Sequence, residues 1–271
     1  MVTDGVNEIS EPLLWSFGHG EAGQTYVFAH KGGLYESRVS FYASEKNLDF
    51  TIGAPRSTPA TITDAIGQPL SDATARTCFG CHSTGGVFGS ELVFENLVPG
   101  VRCEACHGPG EKHVAAMKSG DVSNKRIFNP AVLNGDRLSQ EFCGACHRSV
   151  TDVLASPERR GVQSVRFQPY RIFNSKCYSE DRRISCTACH DPHRETERSA
   201  TAYDSKCLAC HTTTQTQANQ VGAKSMASPH PATTTGCSTC HMPKIEVPGA
   251  HFKFTDHQIR VVKPGEIVPA E

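Results

Sequence analysis

Tryptophan is almost missing from this 271-residue sequence, which has a single copy, and aromatic residues together reach only 7%. Hydrophobic residues make up 38%, a thin supply for a chain long enough to form one large domain or two modest ones. Side chains alone are therefore not expected to build the whole core. A charge excess is lacking too: 27 Lys and Arg stand against 28 Asp and Glu, for a formal net charge of −1. That balance speaks against nucleic-acid binding and against a basic membrane-surface patch. No apolar run is long enough to span a membrane. The opening Met1-Val2-Thr3-Asp4-Gly5 is not a signal peptide either.

What the chain has in quantity is cysteine, with 13 copies. Twelve form six C-x-x-C pairs, each followed at once by histidine. The first three are Cys78 and Cys81 with His82, Cys103 and Cys106 with His107, and Cys143 and Cys146 with His147. The last three are Cys186 and Cys189 with His190, Cys207 and Cys210 with His211, and Cys237 and Cys240 with His241. This spacing attaches a c-type haem: the thiols add to its two vinyl groups and the histidine ligates its iron. Zinc sites would combine thiolate pairs without requiring histidine after every second cysteine. A disulfide framework would not require it either. Six covalently bound haem c groups are therefore expected, and their apolar plates supply the missing core. Arg102, Arg148, Arg182 and Arg183 beside the anchors are candidate partners for haem propionates. Haem attachment of this kind normally takes place on the outer side of a membrane, so a leader is expected. The sequence then reads as a mature form or an excised fragment of a periplasmic or extracellular protein. Cys177 is left over and reads as a buried small hydrophobe, with a thiolate ligand or reactive thiol as the alternative.

Three regions follow from texture. Residues 1–77 carry no anchor and read as a β-rich N-terminal cap. Gln24–Phe28 and Leu34–Tyr42 are candidate strands, joined through Ala29-His30-Lys31-Gly32-Gly33, a connection suited to a hairpin. Period-two alternation places Tyr35, Val39 and Phe41 on one face, and Phe50-Thr51-Ile52 is a candidate short strand. Residues 78–262 form the hexahaem domain. Anchor starts there are separated by 25, 40, 43, 21 and 30 residues, too unevenly for a solenoid. Short helices are expected over Glu111–Lys118, between Pro109 and Gly120, and over Gln140–His147 with Ser139 as N-cap. Asp152–Arg160, interrupted by Pro157, and Arg166–Phe173 read as connecting structure, and Thr212–Gln220 as an exposed loop. Phe252–Val262 alternates like an extended segment, and 263–271 is a C-terminal tail. The fold class expected is a haem-packed multihaem cytochrome c, with short helices, much irregular structure and a small β-rich start.

Seven histidines remain once the proximal ones are set aside: His19, His30, His113, His193, His230, His251 and His257. Six irons need a sixth ligand. His190 and His193 are three residues apart, a reach of about 10 Å, so one chain cannot pass round a porphyrin between them. His193 must ligate a neighbouring haem or none, and His113, close behind His107, works the same way. His113, His193 and His257 lead the distal candidates, followed by His230, between Pro229 and Pro231, then His251 and His19. His30 reads as a solvated turn residue. Met117, Met226 and Met242 are weaker alternatives.

The string Cys103-Glu104-Ala105-Cys106-His107-Gly108-Pro109-Gly110 followed by His113 resembles the multihaem cytochrome c superfamily. That group includes hydroxylamine oxidoreductases, pentahaem nitrite reductases and the tetrahaem cytochromes of ammonia oxidisers. Cys186–His193, Cys237–Lys244 and Phe254–His257 are similar to it too, and also to bacterial cytochrome c modules associated with tetratricopeptide-repeat segments. The resemblance covers about residues 78–262 and implies periplasmic or extracellular redox work with haems packed in parallel and perpendicular pairs. Two departures count. The C-x-x-C-K anchor of the nitrite reductases is missing, and the tyrosine cross-link of the hydroxylamine enzymes matches no motif here.

Electron transfer between redox partner proteins is the leading expectation, with outer-sphere chemistry and bis-histidine ligation. An oxidoreductase with one five-coordinate haem acting on a small nitrogen or sulfur compound is the rival. A subunit of an oligomer or polymeric wire is the third reading. No catalytic residue is identifiable.

Overall fold

The computed structural model describes residues 1–178, 184–211, 230 and 234–266. The chain packs as two compact units: Met1–Pro130 with Glu246–Lys253, and Ala131–Ile245 with Phe254–Glu271.

The first unit begins with a two-residue ribbon, β1 (Val2–Thr3) against β2 (Glu8–Ile9). An antiparallel sheet follows in the order β3 (Trp15–Phe17), β4 (Gly23–His30), β5 (Gly33–Tyr42) and β6 (Asn47–Phe50), with β7 (Gly67–Pro69) also on β5. Lys31 and Gly32 take positive φ values of 48° and 82° at the β4–β5 turn, the handedness that matches strand twist in a tight hairpin. The single alternating face expected for Tyr35, Val39 and Phe41 is not kept along β5. Val39 is 36% exposed, whereas Ser40 and Tyr42 are buried. A register shift between Thr25 and Val27 explains it, since one irregularity changes the side a residue faces. Buried polarity is satisfied by a hydroxyl chain from Thr25 to Ser40 at 2.8 Å and Ser40 to Thr51 at 2.7 Å. The strand expected over Phe50–Ile52 ends at Phe50, and Thr51 turns inward to donate to the Ser37 carbonyl at 2.7 Å.

Helix α1 (Ile62–Ile66) starts with a Thr61–Asp64 capping box, and α2 (Asp72–His82) starts at Ser71. Ala75 and Phe79 lie four apart on α2 and are its buried face. Phe79, 1% exposed, sits edge-on to Trp15 at 5.3 Å, Phe17 at 5.1 Å and Phe94 at 5.4 Å. This cluster is why packing does not divide at Cys78. The first anchor is fastened to the sheet, and the units part between Pro130 and Ala131 instead. Helices α3 (Cys103–His107) and α4 (Glu111–Lys118) complete this part of the unit, α4 with the bounds expected between Pro109 and Gly120.

In the second unit, a π-helical segment, Arg137–Cys143, runs into α5 (Gly144–His147). Ser139 does not cap this helix. Asn134 does so from further back, accepting the Arg137 N–H at 2.9 Å, and Ser139 is buried inside. The stretches expected as connections carry α6 (Val150–Leu154) and α7 (Gln168–Phe173). Helices α8 (Cys186–Cys189), α9 (Asp204–Leu208) and α10 (Cys237–His241) follow. Among the described residues the core of side chains here is small: Leu138, Val153, Val165, Tyr170, Tyr178 and Ile245. Thr212–Gln220 lies outside the described residues. Within Phe252–Val262, only Lys253–Thr255 is a strand.

Candidate functional site

Each anchor lies on, or at the end of, a short helix. The geometry follows from spacing: residues i, i+3 and i+4 share a helical face, so two thiols and an imidazole can address one ligand. None of the twelve anchor cysteines is buried, and among the described residues no cysteine is in a disulfide. Cys78 and Cys81 are both half-buried on α2, so the first anchor is the more enclosed of those in the first unit. On α3, Cys103 is exposed and Cys106 half-buried. In the second unit one thiol of a pair is often the more open. Cys146 on α5 is exposed beside half-buried Cys143, and Cys240 on α10 is exposed beside half-buried Cys237. Cys210 is exposed beside half-buried Cys207, whereas Cys186 and Cys189 are both half-buried.

In the first unit, the Phe17 ring lies 5.2 Å from that of His82. His19, exposed, follows two residues later in the β3–β4 connection. Arg102 precedes α3 at its N-cap position. One loop serves two histidines: His107 Nδ1 donates to the Phe128 carbonyl at 2.8 Å and His113 Nδ1 to the Lys125 carbonyl at 2.6 Å. A carbonyl only accepts, so Nδ1 carries the proton and Nε2 carries the ligating lone pair.

The same device recurs in the second unit. His241 Nδ1 donates to the Arg260 carbonyl at 2.8 Å, and His257 Nδ1 to the Thr255 carbonyl at 2.9 Å. Two pairs of histidine rings lie close together. The rings of His190 and His257 are 6.2 Å apart, and those of His230 and His241 are 5.8 Å apart. A metal–nitrogen bond of about 2 Å on each side, plus about 1 Å from nitrogen to ring centre, separates trans imidazoles by about 6 Å. Among the described residues no three His, Cys, Asp or Glu side chains converge on one point. Two imidazoles with adjacent thiols thus fit a ligand bringing its own in-plane donors, as haem does, and not a bare ion.

Electrostatics favours the ligating form. Burial pushes the His190 ring below its ordinary pKa, with help from His147. Burial does the same at His257, outweighing the bond to Thr255, and His190 and His147 lower it further. Neighbouring protein atoms lower His147 by desolvation against a raising bond from Gln168, although the residue is exposed. Neutral imidazole is the metal ligand. Arg148, next to His147, takes a positive φ of 69° that ends α5 abruptly.

Thiols from successive anchors also meet. Cys143 hydrogen-bonds the Cys186 thiol and holds it down to about 7, while burial and then Asp204 push Cys237 up to about 11, Cys207 being a further neighbour. Burial raises Cys177, which has Cys189 and Cys210 near it.

Sequence reasoning missed the groups that carry these histidines. Arg171, on α7, and Asp256 form a fully buried ion pair: Nε to Oδ1 is 2.8 Å and Nη2 to Oδ2 is 2.9 Å. Nothing local marks them, since 85 residues separate the two. His211 follows α9, half-buried. His193 is exposed, with its backbone N–H donating to Asp191 at 3.0 Å. His251 Nε2 is 2.8 Å from Asp49, and its ring lies on Tyr42 at 4.6 Å. His30 is not a solvated turn residue: it is 7% exposed at the end of β4, with Nδ1 2.8 Å from Glu11. Met117 lies on α4 and Met242 follows α10. Arg182, Arg183 and Met226 lie outside the described residues.

Comparison with known proteins adds two matches. The family described as cytochrome c554 and c-prime matches residues 51–108, which include the first two anchors. The multiheme cytochrome MtrA of Shewanella baltica (strain OS185) is 22% identical over 231 residues, 80% of this chain and 58% of the relative. The chain thus spans a little over half the length of that protein. No solved structure matches.

Proposed function

We propose, from the multihaem cytochrome c family that both matches support, that this chain is a six-haem electron carrier. The twelve anchor cysteines would hold six haem c groups by thioether bonds, with His82, His107, His147, His190, His211 and His241 as proximal ligands. His257 would close the iron held by His190, and His230 the one held by His241. His113 is assigned as a distal ligand because its tautomer is fixed as that of His107 is. His193 and His19 remain distal candidates by chain reach and position. His251 is the weaker candidate, since its Nε2 already faces a carboxylate.

The observation that carries the reading is the His190–His257 pair, two imidazoles from distant segments at the spacing of trans ligands. Bound haem iron supplies one-electron redox chemistry, with potentials tuned by ligand, burial and hydrogen bonding. The chain's own residues do the rest. Nδ1–H···O=C bonds fix ring orientation and raise ligand basicity. Cys143 lies beside Cys186, and Cys207 beside Cys237, so successive attachment points are neighbours. Partners would be redox proteins in the periplasm or outside the cell. Among the described residues no helix is long and apolar enough to cross a membrane.

Mass spectrometry of the intact holoprotein and electron paramagnetic resonance test the proposal. Six covalent haems are expected, with low-spin ferric signals from those closed by a distal histidine. Fewer haems contradict the count. A high-spin signal responding to nitrite, hydroxylamine or nitric oxide replaces the carrier with an enzyme.

A further inference from the structure

We infer that Arg171 and Asp256 are a positioning pair that holds His257 opposite His190 and so decides whether that iron is six-coordinate. This rests on the ligation proposed above.

The side chains of Arg171 and Asp256 are 1% and 0% exposed. The guanidinium is used on every side: Nε and Nη2 engage the two carboxylate oxygens, and Nη1 donates to the Ser164 hydroxyl at 3.3 Å. The carboxylate also receives Arg260 Nη1 at 2.6 Å and the Gln258 N–H at 3.0 Å. A two-pronged bond between a planar fork and a carboxylate fixes direction as well as distance. The residue after Asp256 is His257, so the fork sets where that backbone runs.

A second grip comes from the same side. Ser175, just beyond α7, donates its hydroxyl to the His257 carbonyl at 3.1 Å and accepts the Ile259 N–H at 2.8 Å. The His257 ring is then turned by its own bond to Thr255. His257 is thus held at its carbonyl, at its ring, and at the residues on both sides. Asp256 follows the strand Lys253–Thr255 and its backbone N–H donates to the Pro243 carbonyl at 2.9 Å, so the backbone fixes the start of the segment and the side-chain bonds fix its continuation through His257.

Stability alone does not account for this pair. Desolvating both charges costs several kcal/mol each, and apolar pairs of similar size often do as well or better. What an apolar pair lacks is direction. A ligand misplaced by about 1 Å no longer reaches its target, and shells of this kind supply that precision.

The test uses holoprotein and reads ferric spin state by electron paramagnetic resonance and optical spectroscopy. His257→Ala is the reference, expected to turn one haem of the set from low-spin to high-spin. Arg171→Met, which removes the fork but keeps an apolar stem, is expected to do the same. Arg171→Lys, which keeps the charge without the fork, is expected to give a partial change. Added imidazole is expected to return each variant to fully low-spin, with haem content unchanged. Where the methionine variant yields no holoprotein, Asp256→Asn, which keeps the volume, is read the same way. A high-spin haem in His257→Ala with wholly low-spin Arg171→Met or Asp256→Asn overturns the positioning role. A wholly low-spin His257→Ala overturns the ligation reading itself and the inference with it.

Discussion

The Asp204 carboxylate accepts the backbone N–H of Cys237 at 2.9 Å, and its other oxygen accepts that of Gly236 at 2.7 Å. Asp204 opens α9, which carries the fifth anchor, and Cys237 opens α10, which carries the sixth. Helix α10 has no cap of its own, because Gly236 sits before it with a φ of 74° and no side chain. One helix therefore caps the next from 33 residues away, placing an acid at a helix N-terminus where the exposed N–H groups favour it. Two attachment points that need a fixed spacing are tied by an ordinary capping bond.

Removing that cap should loosen the sixth anchor selectively. Asp204→Ala is expected to speed amide hydrogen exchange over Cys237–His241 while leaving β4 and β5 unchanged. The effect depends on acid. The N–H groups of Gly236 and then Cys237 hold the Asp204 carboxyl below its ordinary pKa. A depressed folded pKa means the contribution is complete above the ordinary carboxyl pKa and is lost as pH falls through the folded value. Wild type and variant should therefore converge in stability in strong acid. Equal exchange in the two proteins at neutral pH would refute the cap.

Phe79 should be the costliest aromatic to lose in the first unit. It is 1% exposed and meets three other aromatic rings. Phe79→Ala is expected to destabilise by about 3–5 kcal/mol in denaturant unfolding, the range for emptying a buried aromatic site. Phe88→Ala, at a position 82% exposed, should change stability by less than about 0.5 kcal/mol. Similar losses at both sites would show that the cluster does not fasten the first anchor to the sheet.

The anchors, the β4–β5 hairpin and α4 were legible because each is local. Turn residues, strand propensity and i, i+3, i+4 spacing all act within a few positions. The histidine candidates were legible as a set, because chain reach excludes some pairings before any fold is known. The pairing of His190 with His257 was not, since it depends on where residues 67 positions apart arrive in space. Arg171, Asp256 and Asp204 carried no signal, because a buried acid and a surface acid look alike in one sequence. The change of face along β5 was not legible, because a bulge reverses alternation and leaves no mark in composition.

His251 joins the returning segment Glu246–Lys253 to the sheet of its own unit, and a carboxylate measures that join. Asp49 is held down to about 2, first by its bond with His251, then by the Phe50 N–H, against a small raising effect of burial. In His251→Ala the Asp49 pKa, followed by nuclear magnetic resonance, should rise toward the ordinary carboxylate value. The join helps stability above the unfolded carboxyl pKa and is lost as pH falls through about 2. Ferric spin state should stay unchanged in this variant. A new high-spin haem would instead make His251 an iron ligand.

The two units should respond differently to loss of haem. In the first, β4 and β5 satisfy one another's backbone groups, and Val27, Phe28, Tyr42 and Phe79 are buried without help. In the second, the buried apolar side chains among the described residues are few, and α8, α9 and α10 are only four or five residues long. Helices that short are not stable alone and depend on what packs against them. None of the twelve anchor cysteines is buried, and in the proposed reading a haem plate would cover them. Chain expressed without haem attachment should keep slow amide exchange in β4 and β5 and lose it across residues 137–178, 184–211, 234–245 and 254–266. Retention of protection at Cys143–His147 and Cys186–Cys189 in that preparation would mean that side chains alone hold the second unit, and that haem is not its core.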